Sequence, residues 1–372
     1  SLWFAVNAVM PDLQQQMGWP ASAVGRLTSA LQLGFIVGTL VFALLAIADR
    51  FSSRRVFLFC ALSGALCTLG AWLRIASFTE LLLWRAATGF FLAGIYPVGM
   101  KIASQWFPQG LGVALGWLVG ALVLGSASAH GIRAVSVELP WSTVMISVAI
   151  LAAAGGLLLF MAIPEPPTSS ASPKKLEWQA LASLWTDSRV RASVLGYFGH
   201  MWELYTLWVL APLILATKLD GQALSLAAFG VLGIGALGCI GGGWLAKRWG
   251  SARVATLQLS MSGFCCLLAP WLMSAPLFWF LLWLAVWGLT AAGDSPQFST
   301  LTASNAPKHA VGSVLTLTNC IGFAISIVSI ELFTSLAQVQ ALESLLPWLG
   351  IGPLLGIFAM NRLWREQFTG RS

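Results

Sequence analysis

Residues 89–97 read GFFLAGIYP and residues 288–296 read GLTAAGDSP. Each stretch carries a glycine, a second glycine five residues on and a proline three beyond that, inside otherwise apolar sequence. The match runs outward. Pro108 and Gly112 follow the first stretch and Pro307 and Gly312 the second, so four pairs lie 199 positions apart and the last 200. Upstream, ADRFSSRR (48–55) and AKRWGSAR (246–253) align Arg50 with Arg248 and Arg55 with Arg253 at an offset of 198. Glycine and proline are common in membrane helices, so one coincidence would carry little. Seven positions at a nearly constant offset indicate a chain that repeats itself.

What repeats is a set of membrane helices. Of 372 residues, 58% are apolar and 9% charged, with a mean hydropathy of +0.82, whereas a soluble domain is about 25% charged. Crossing the hydrocarbon takes roughly 20 mostly apolar residues. Segments of that kind run over 21–47 (α2), 55–76 (α3), 79–104 (α4), 110–130 (α5), 140–163 (α6), 190–217 (α7), 222–247 (α8), 252–273 (α9), 276–303 (α10), 309–338 (α11) and 342–366 (α12). Ahead of them Ser1–Leu13 (SLWFAVNAVMPDL) is apolar but too short to span and lacks the basic flank of a signal peptide. We expect it to be part of a truncated first helix, α1. The fold expected is an all-α membrane protein of twelve transmembrane helices, arranged as two six-helix pseudo-repeats around a central cavity. Parallel repeats of this kind, with a solute site near the midplane, are a transporter architecture.

Lys and Arg concentrate in cytoplasmic connections. Fifteen of them follow even-numbered helices or lie at the C-terminus, among them Lys101, Lys174, Lys175, Arg189, Arg191, Lys308, Arg362, Arg365 and Arg371, against Arg26, Arg74, Arg133 and Lys218 on the other side. Both termini are therefore expected in the cytoplasm, in a multi-pass protein of the cell's inner (plasma) membrane. The formal charge of +7 is scattered through short loops without a basic run, which argues for topology and against nucleic acid. All six cysteines fall in apolar segments without a CxxC, as packing residues. One connection stands out: PEPPTSSASPKK (164–175) cannot pack a core, and LEWQALASLW (176–185) repeats Leu176, Trp178, Leu181, Leu184 and Trp185 at near-helical spacing. This divides the chain into an N-terminal six-helix bundle (1–163), a cytoplasmic linker with an interfacial helix (164–189) and a C-terminal six-helix bundle (190–372).

On these residues the chain resembles the major facilitator superfamily of secondary transporters over nearly its whole length. The family's loop signature after the second helix, G-x-L-A-D-R-x-G-R-R, appears as LLAIADRFSSRR (44–55), which keeps Asp49, Arg50, Arg54 and Arg55 but has Leu45 and Ser52 for the glycines. The second copy, GWLAKRWGSAR (243–253), keeps both glycines, Gly243 and Gly250, with Lys247, Arg248 and Arg253, and has Lys247 in place of the acid. Charge-assisted bonds between such an acid and nearby arginines can hold the halves together in one state and release them in another. Plain positive-inside anchoring accounts for the arginines but not for Asp49. The resemblance also matches an arginine four residues before a glycine in α4, here Arg85 and Gly89.

The resemblance implies that α1, α4, α7 and α10 surround the solute. The charged residues well inside spans fall on that set: Arg85 on α4, Glu203 on α7 and Asp294 on α10. So do Tyr96, Tyr197 and Tyr205, joined by Trp202 and Trp208 on α7, Gln297 on α10 and Asn7 on α1. An arginine within a span costs at least ~2.5 kcal/mol on insertion scales, so Arg85 either faces a cavity or a partner or reaches back to the outer surface. In GYFGHMWELYTLWVLAP (196–212), Glu203 lies near mid-depth with His200 one turn away. Water-poor surroundings favour the uncharged form of a carboxyl group, which suits a proton carrier, and His200 is within reach to share the proton. The bland alternative is a satisfied structural pair. Asp294, beside the kink expected at Pro296, serves either as a second proton or cation site or as a partner for the broken backbone.

Within the family the chain is distantly similar to bacterial nitrate, nitrite and cyanate carriers. The nitrate type has an arginine at mid-depth in the second and eighth helices, whereas here those helices read LQLGFIVGTL (31–40) and FGVLGIGALG (229–238). The expected function is alternating-access transport of a small organic solute, coupled to a proton as symporter or antiporter. An uncoupled facilitator or a small-anion (nitrite- or cyanate-like) carrier is the alternative. We find no metal-ligand spacing, cofactor motif, nucleophile set or Walker A sequence, and expect neither enzyme activity nor a metal or cofactor. The partners expected are a solute, a proton and the bilayer, with the protein acting as a monomer.

Overall fold

The computed structural model describes residues 1–372 except 21, 74–76, 108–109, 166–175, 183–185 and 369–372, and only the backbone of 180, 181 and 366–368. Arg74, Pro108, Lys174, Lys175, Leu184, Trp185 and Arg371, with most of the linker, lie outside the described residues, as does the side chain of Leu181.

Hydropathy sustained over some twenty residues translates directly into helices. Eleven among the described residues are long and apolar enough to cross a membrane: α2 Ala23–Leu44, α3 Ser53–Leu73, α4 Phe78–Trp106, α5 Leu111–Val135, α6 Ser142–Ala162, α7 Ser188–Leu215, α8 Gly221–Trp249, α9 Ser251–Leu272, α10 Leu277–Asn305, α11 Val311–Leu336 and α12 Leu342–Arg365. Ahead of α2, a 3-10 turn at Leu2–Phe4 leads into short helices Ala5–Ala8 and Met10–Met17 (together α1), which stop at Gly18 with φ 68. Leu2, Val6, Val9 and Leu13 of this segment enter one apolar core with Leu27 of α2, Leu81 of α4 and Val148 of α6. Among the described residues the architecture is all-helical, eleven spans preceded by a shorter buried helical segment, in keeping with twelve helices of which the first is short. At Trp178–Ala182 the chain forms a 3-10 turn, and Glu177 N–H just before it donates to Ser313 Oγ at 3.0 Å.

The repeated glycines and prolines act in the same way in both places. Gly89 and Gly288 stand where a Cβ would fall 1.9 Å from Leu31 O and 2.0 Å from Val231 O, respectively. Gly38 and Gly238 meet Phe90 O and Leu289 O at 2.4 and 1.9 Å in the same sense. Thus α2 crosses α4, and α8 crosses α10, at backbone contact that no side chain can enter. Both α4 and α10 are interrupted just before their prolines, between Leu92 and Tyr96 and at Asp294. Proline lacks the N–H that would reach the carbonyl four residues back. In α10 that carbonyl is Ala292 O, and the Cys239 thiol donates to it at 3.2 Å.

The chain gathers into two compact units, one of residues 1–109, 125–176 and 219–229, the other of 110–124, 177–218 and 230–372, so α5 and α8 each contribute to both. Within the second unit α7 is the inner element: 78% of its most apolar window is buried, more than in any other span. It packs on α11, α12 and both halves of α10. Against α12 it comes to backbone contact, where a Cβ on Gly199 would meet Gly352 O at 2.3 Å.

Candidate functional site

α7 begins at Asp187, whose carboxylate accepts the N–H groups of Arg189 (2.8 Å) and Val190 (3.4 Å) as an N-cap. From that start, His200, Glu203 and Thr206 recur every three residues along one buried flank. Their side chains are 1%, 1% and 0% exposed, so each needs a partner inside the protein. Thr206 donates to Ser329 Oγ on α11 at 2.8 Å, and Ser329 donates in turn to Trp202 O at 2.7 Å.

The two titratable residues find separate partners rather than each other. Glu203 Oε1 accepts the indole N–H of Trp287 at 2.6 Å and the Cys266 thiol at 3.4 Å, while Oε2 accepts the Ser262 hydroxyl at 2.9 Å. Three donors from α9 and α10 thereby hold the carboxyl group. His200 instead turns to α10, where its Nδ1 lies 2.7 Å from Asp294 Oδ1. The two heads are in contact, and the pair is charged only where the imidazole carries a second proton. Tyr197 and Phe298 flank the imidazole, each with its ring centroid 5.8 Å away.

Asp294 sits at the break in α10 and opens the half-helix Ser295–Asn305. A negative charge is favoured at that helix N-terminus. One turn on, Gln297 is fully buried and neither end of its amide has a hydrogen-bond partner. A carboxyl group and an imidazole in contact, with an amide beside them able to donate or accept, can hold a proton between them and pass it on.

The other expected residues of this unit are mostly aromatic packing, Tyr205 and Trp208 lying on the side of α7 away from Glu203. Tyr205 lies against Trp208 (5.5 Å) and Phe323 (5.2 Å). Trp202 points away from the His200 flank, into a groove between α7 and α12. In the first unit Arg85 is buried and donates from both terminal nitrogens, to Leu2 O and Trp3 O. The cation is thus held by carbonyls of the N-terminal turn. Asn7 donates to Thr28 Oγ1 at 2.9 Å, and Tyr96 is half-buried at the break in α4.

Among the loop residues, Asp49 pairs with Lys101 at 2.6 Å, and Lys101 also donates to Ala48 O. Arg54 donates to Ile163 O at 2.8 Å and its Nε lies 3.3 Å from Glu165, which also accepts from Ser52. Arg50 and Arg55 are exposed. In the second copy Lys247 lies over the Trp244 ring at 4.8 Å, Arg248 is exposed and Arg253 half-buried.

Sequence reasoning missed Trp287, Ser262 and Cys266 as partners of Glu203, and Lys101 as the partner of Asp49. Trp287 directly precedes the repeated Gly288, the one mark in sequence that it lies at the α8–α10 crossing. A family model described as Major Facilitator Superfamily matches residues 1–330. No curated protein matches the chain.

Proposed function

This chain belongs to the major facilitator superfamily of membrane transporters, and we propose that it couples the movement of a small organic solute to a proton held between His200 and Asp294. The observation that carries this reading is their 2.7 Å contact, fully buried and at the break of a helix. When the carboxyl group takes up a proton its charge disappears, and with it the attraction that fixes α7 to the bend of α10. Losing the proton restores both. A proton that alters how two helices are joined is what alternating access requires of a coupling site. Glu203, with three donors already bound, is the positioning residue of this arrangement; it fixes the register of α7 against α9 and α10.

Tyr197 beside the imidazole, and the cluster of Tyr205, Trp208 and Phe323 further along α7, favour an amphipathic solute over a small inorganic anion. Asp49, Lys101 and the loop arginines are proposed as the gate, with the basic loops and both termini on the cytoplasmic side of the inner membrane.

The test begins with a solute screen by thermal stabilisation of the purified protein. Flux of the stabilising solute into proteoliposomes is then measured with and without an imposed pH gradient. We expect flux to rise with the gradient in the native protein and to lose that dependence in Asp294→Asn. Native flux indifferent to the gradient would make the protein an uncoupled facilitator.

A further inference from the structure

Two stripes of sequence meet on the outer face of the second unit. On α7, Arg191, Leu195, Phe198 and Trp202 follow at intervals of three or four residues, and so lie on one side of the helix. On α12, Arg362, Phe358, Leu355 and Ile351 do the same. The stripes bound a groove of about 720 Å³, closed at the third side by Ile325 of α11. Its floor is open because Gly199 and Gly352 bring the two backbones together with no side chain between them.

The groove is built for something apolar with a charged end. Leu195, Leu355 and Phe358 on its rim are 44%, 62% and 80% exposed, which in a membrane helix means contact with lipid chains. Both arginines lie at the same end, one in the first turn of α7 and the other near the end of α12, beside Ser188. From each arginine to the far end the stripe runs about 16 Å at ~1.5 Å per residue, or roughly half of a ~30 Å hydrocarbon layer. The groove is therefore one leaflet deep, with its two cations at the headgroup level.

We infer that this groove binds one anionic glycerophospholipid, with its phosphate between Arg191 and Arg362 and an acyl chain along the stripe to Trp202. Two guanidinium groups match phosphate oxygens in charge and in fork geometry, and the apolar stripe matches a chain of one leaflet's depth. The lipid bridges α7 and α12 on the side of α7 opposite the His200 flank.

The full-length protein in detergent, titrated separately with phosphatidylglycerol and phosphatidylethanolamine and weighed by native mass spectrometry, tests this. One phosphatidylglycerol is expected to be retained about tenfold more tightly than phosphatidylethanolamine. The double variant Arg191→Gln/Arg362→Gln should lose that preference. Ala359→Trp, which fills the groove and leaves both arginines, should weaken both lipids. Melting curves in the same detergent identify any variant that misfolds, and the two variants alter different parts of the groove, so one serves where the other fails. Equal retention of the two lipids by the native protein, or unchanged retention in the folded variants, overturns the inference. So does displacement by inorganic phosphate at matched concentration, since the site would then read the anion alone.

Discussion

Trp287 donates its indole N–H to Glu203 Oε1 across 2.6 Å, joining the middle of α7 to α10 just ahead of the Gly288 crossing. Trp287→Phe keeps most of the ring and deletes the donor. A lost bond to a carboxyl group of this kind costs about 1.5–3 kcal/mol, so thermal unfolding in detergent should show a clear drop. Glu203→Gln should still take up solute with a pH gradient, at reduced stability. Coupling that vanishes in Glu203→Gln while the protein stays folded would move the proton site from Asp294 to Glu203.

His200 and Asp294 are expected to act as a unit. His200→Gln and Asp294→Asn should each abolish the pH-gradient dependence of flux, and the double variant should be no worse than either alone, because residues in contact are not additive. A proton-sensitive dye inside proteoliposomes reads this directly. Independent, additive losses would show that the two serve separate steps.

The Asp49–Lys101 pair is partly exposed, with side chains 39% and 28% accessible. Such pairs contribute ~0–1 kcal/mol to stability. Lys101→Met should therefore leave the melting temperature nearly unchanged while altering the transport rate, and the swapped pair Asp49→Lys/Lys101→Asp should restore part of it. A large loss of stability in Lys101→Met would assign the pair to the fold instead of the gate.

Gly89 and Gly288 occupy equivalent crossings, each with a carbonyl oxygen where a methyl would go. Alanine at either should force the helices apart at a cost of ~1–3 kcal/mol or more. The two variants should be destabilised to a similar degree in unfolding experiments. A harmless Gly288→Ala would mean that the second crossing is looser than its counterpart.

The spans were legible because hydropathy over twenty residues does not depend on what a helix packs against: α7 was expected at 190–217 and runs over Ser188–Leu215. The break at Pro296 was legible for the same reason, since a missing N–H is a property of the residue itself, whereas the matching break before Pro97 was not read although the repeat aligned the two prolines. Partners of single side chains were not. Glu203 and His200 are one turn apart and looked like a pair, yet Trp287 lies 84 positions from Glu203, and only helix packing brings such residues together. Trp202 shows the same limit, because one residue's rotation around α7 decides whether it faces His200 or the membrane. The glycines at 199 and 352 carried the missing signal, for they mark the side on which α12 packs.

The thiol of Cys239 donates to Ala292 O, which also takes a backbone N–H at the C-cap of the first half of α10. Its S–H stretch reports on the bend of α10 in the infrared, in a spectral window that water and amides leave clear. Straightening or deepening of that bend alters the S···O distance and shifts the band. The difference between native protein and Cys239→Ala isolates it from the other five cysteines. The contact therefore gives a label-free vibrational probe of the α8–α10 bend, readable in lipid.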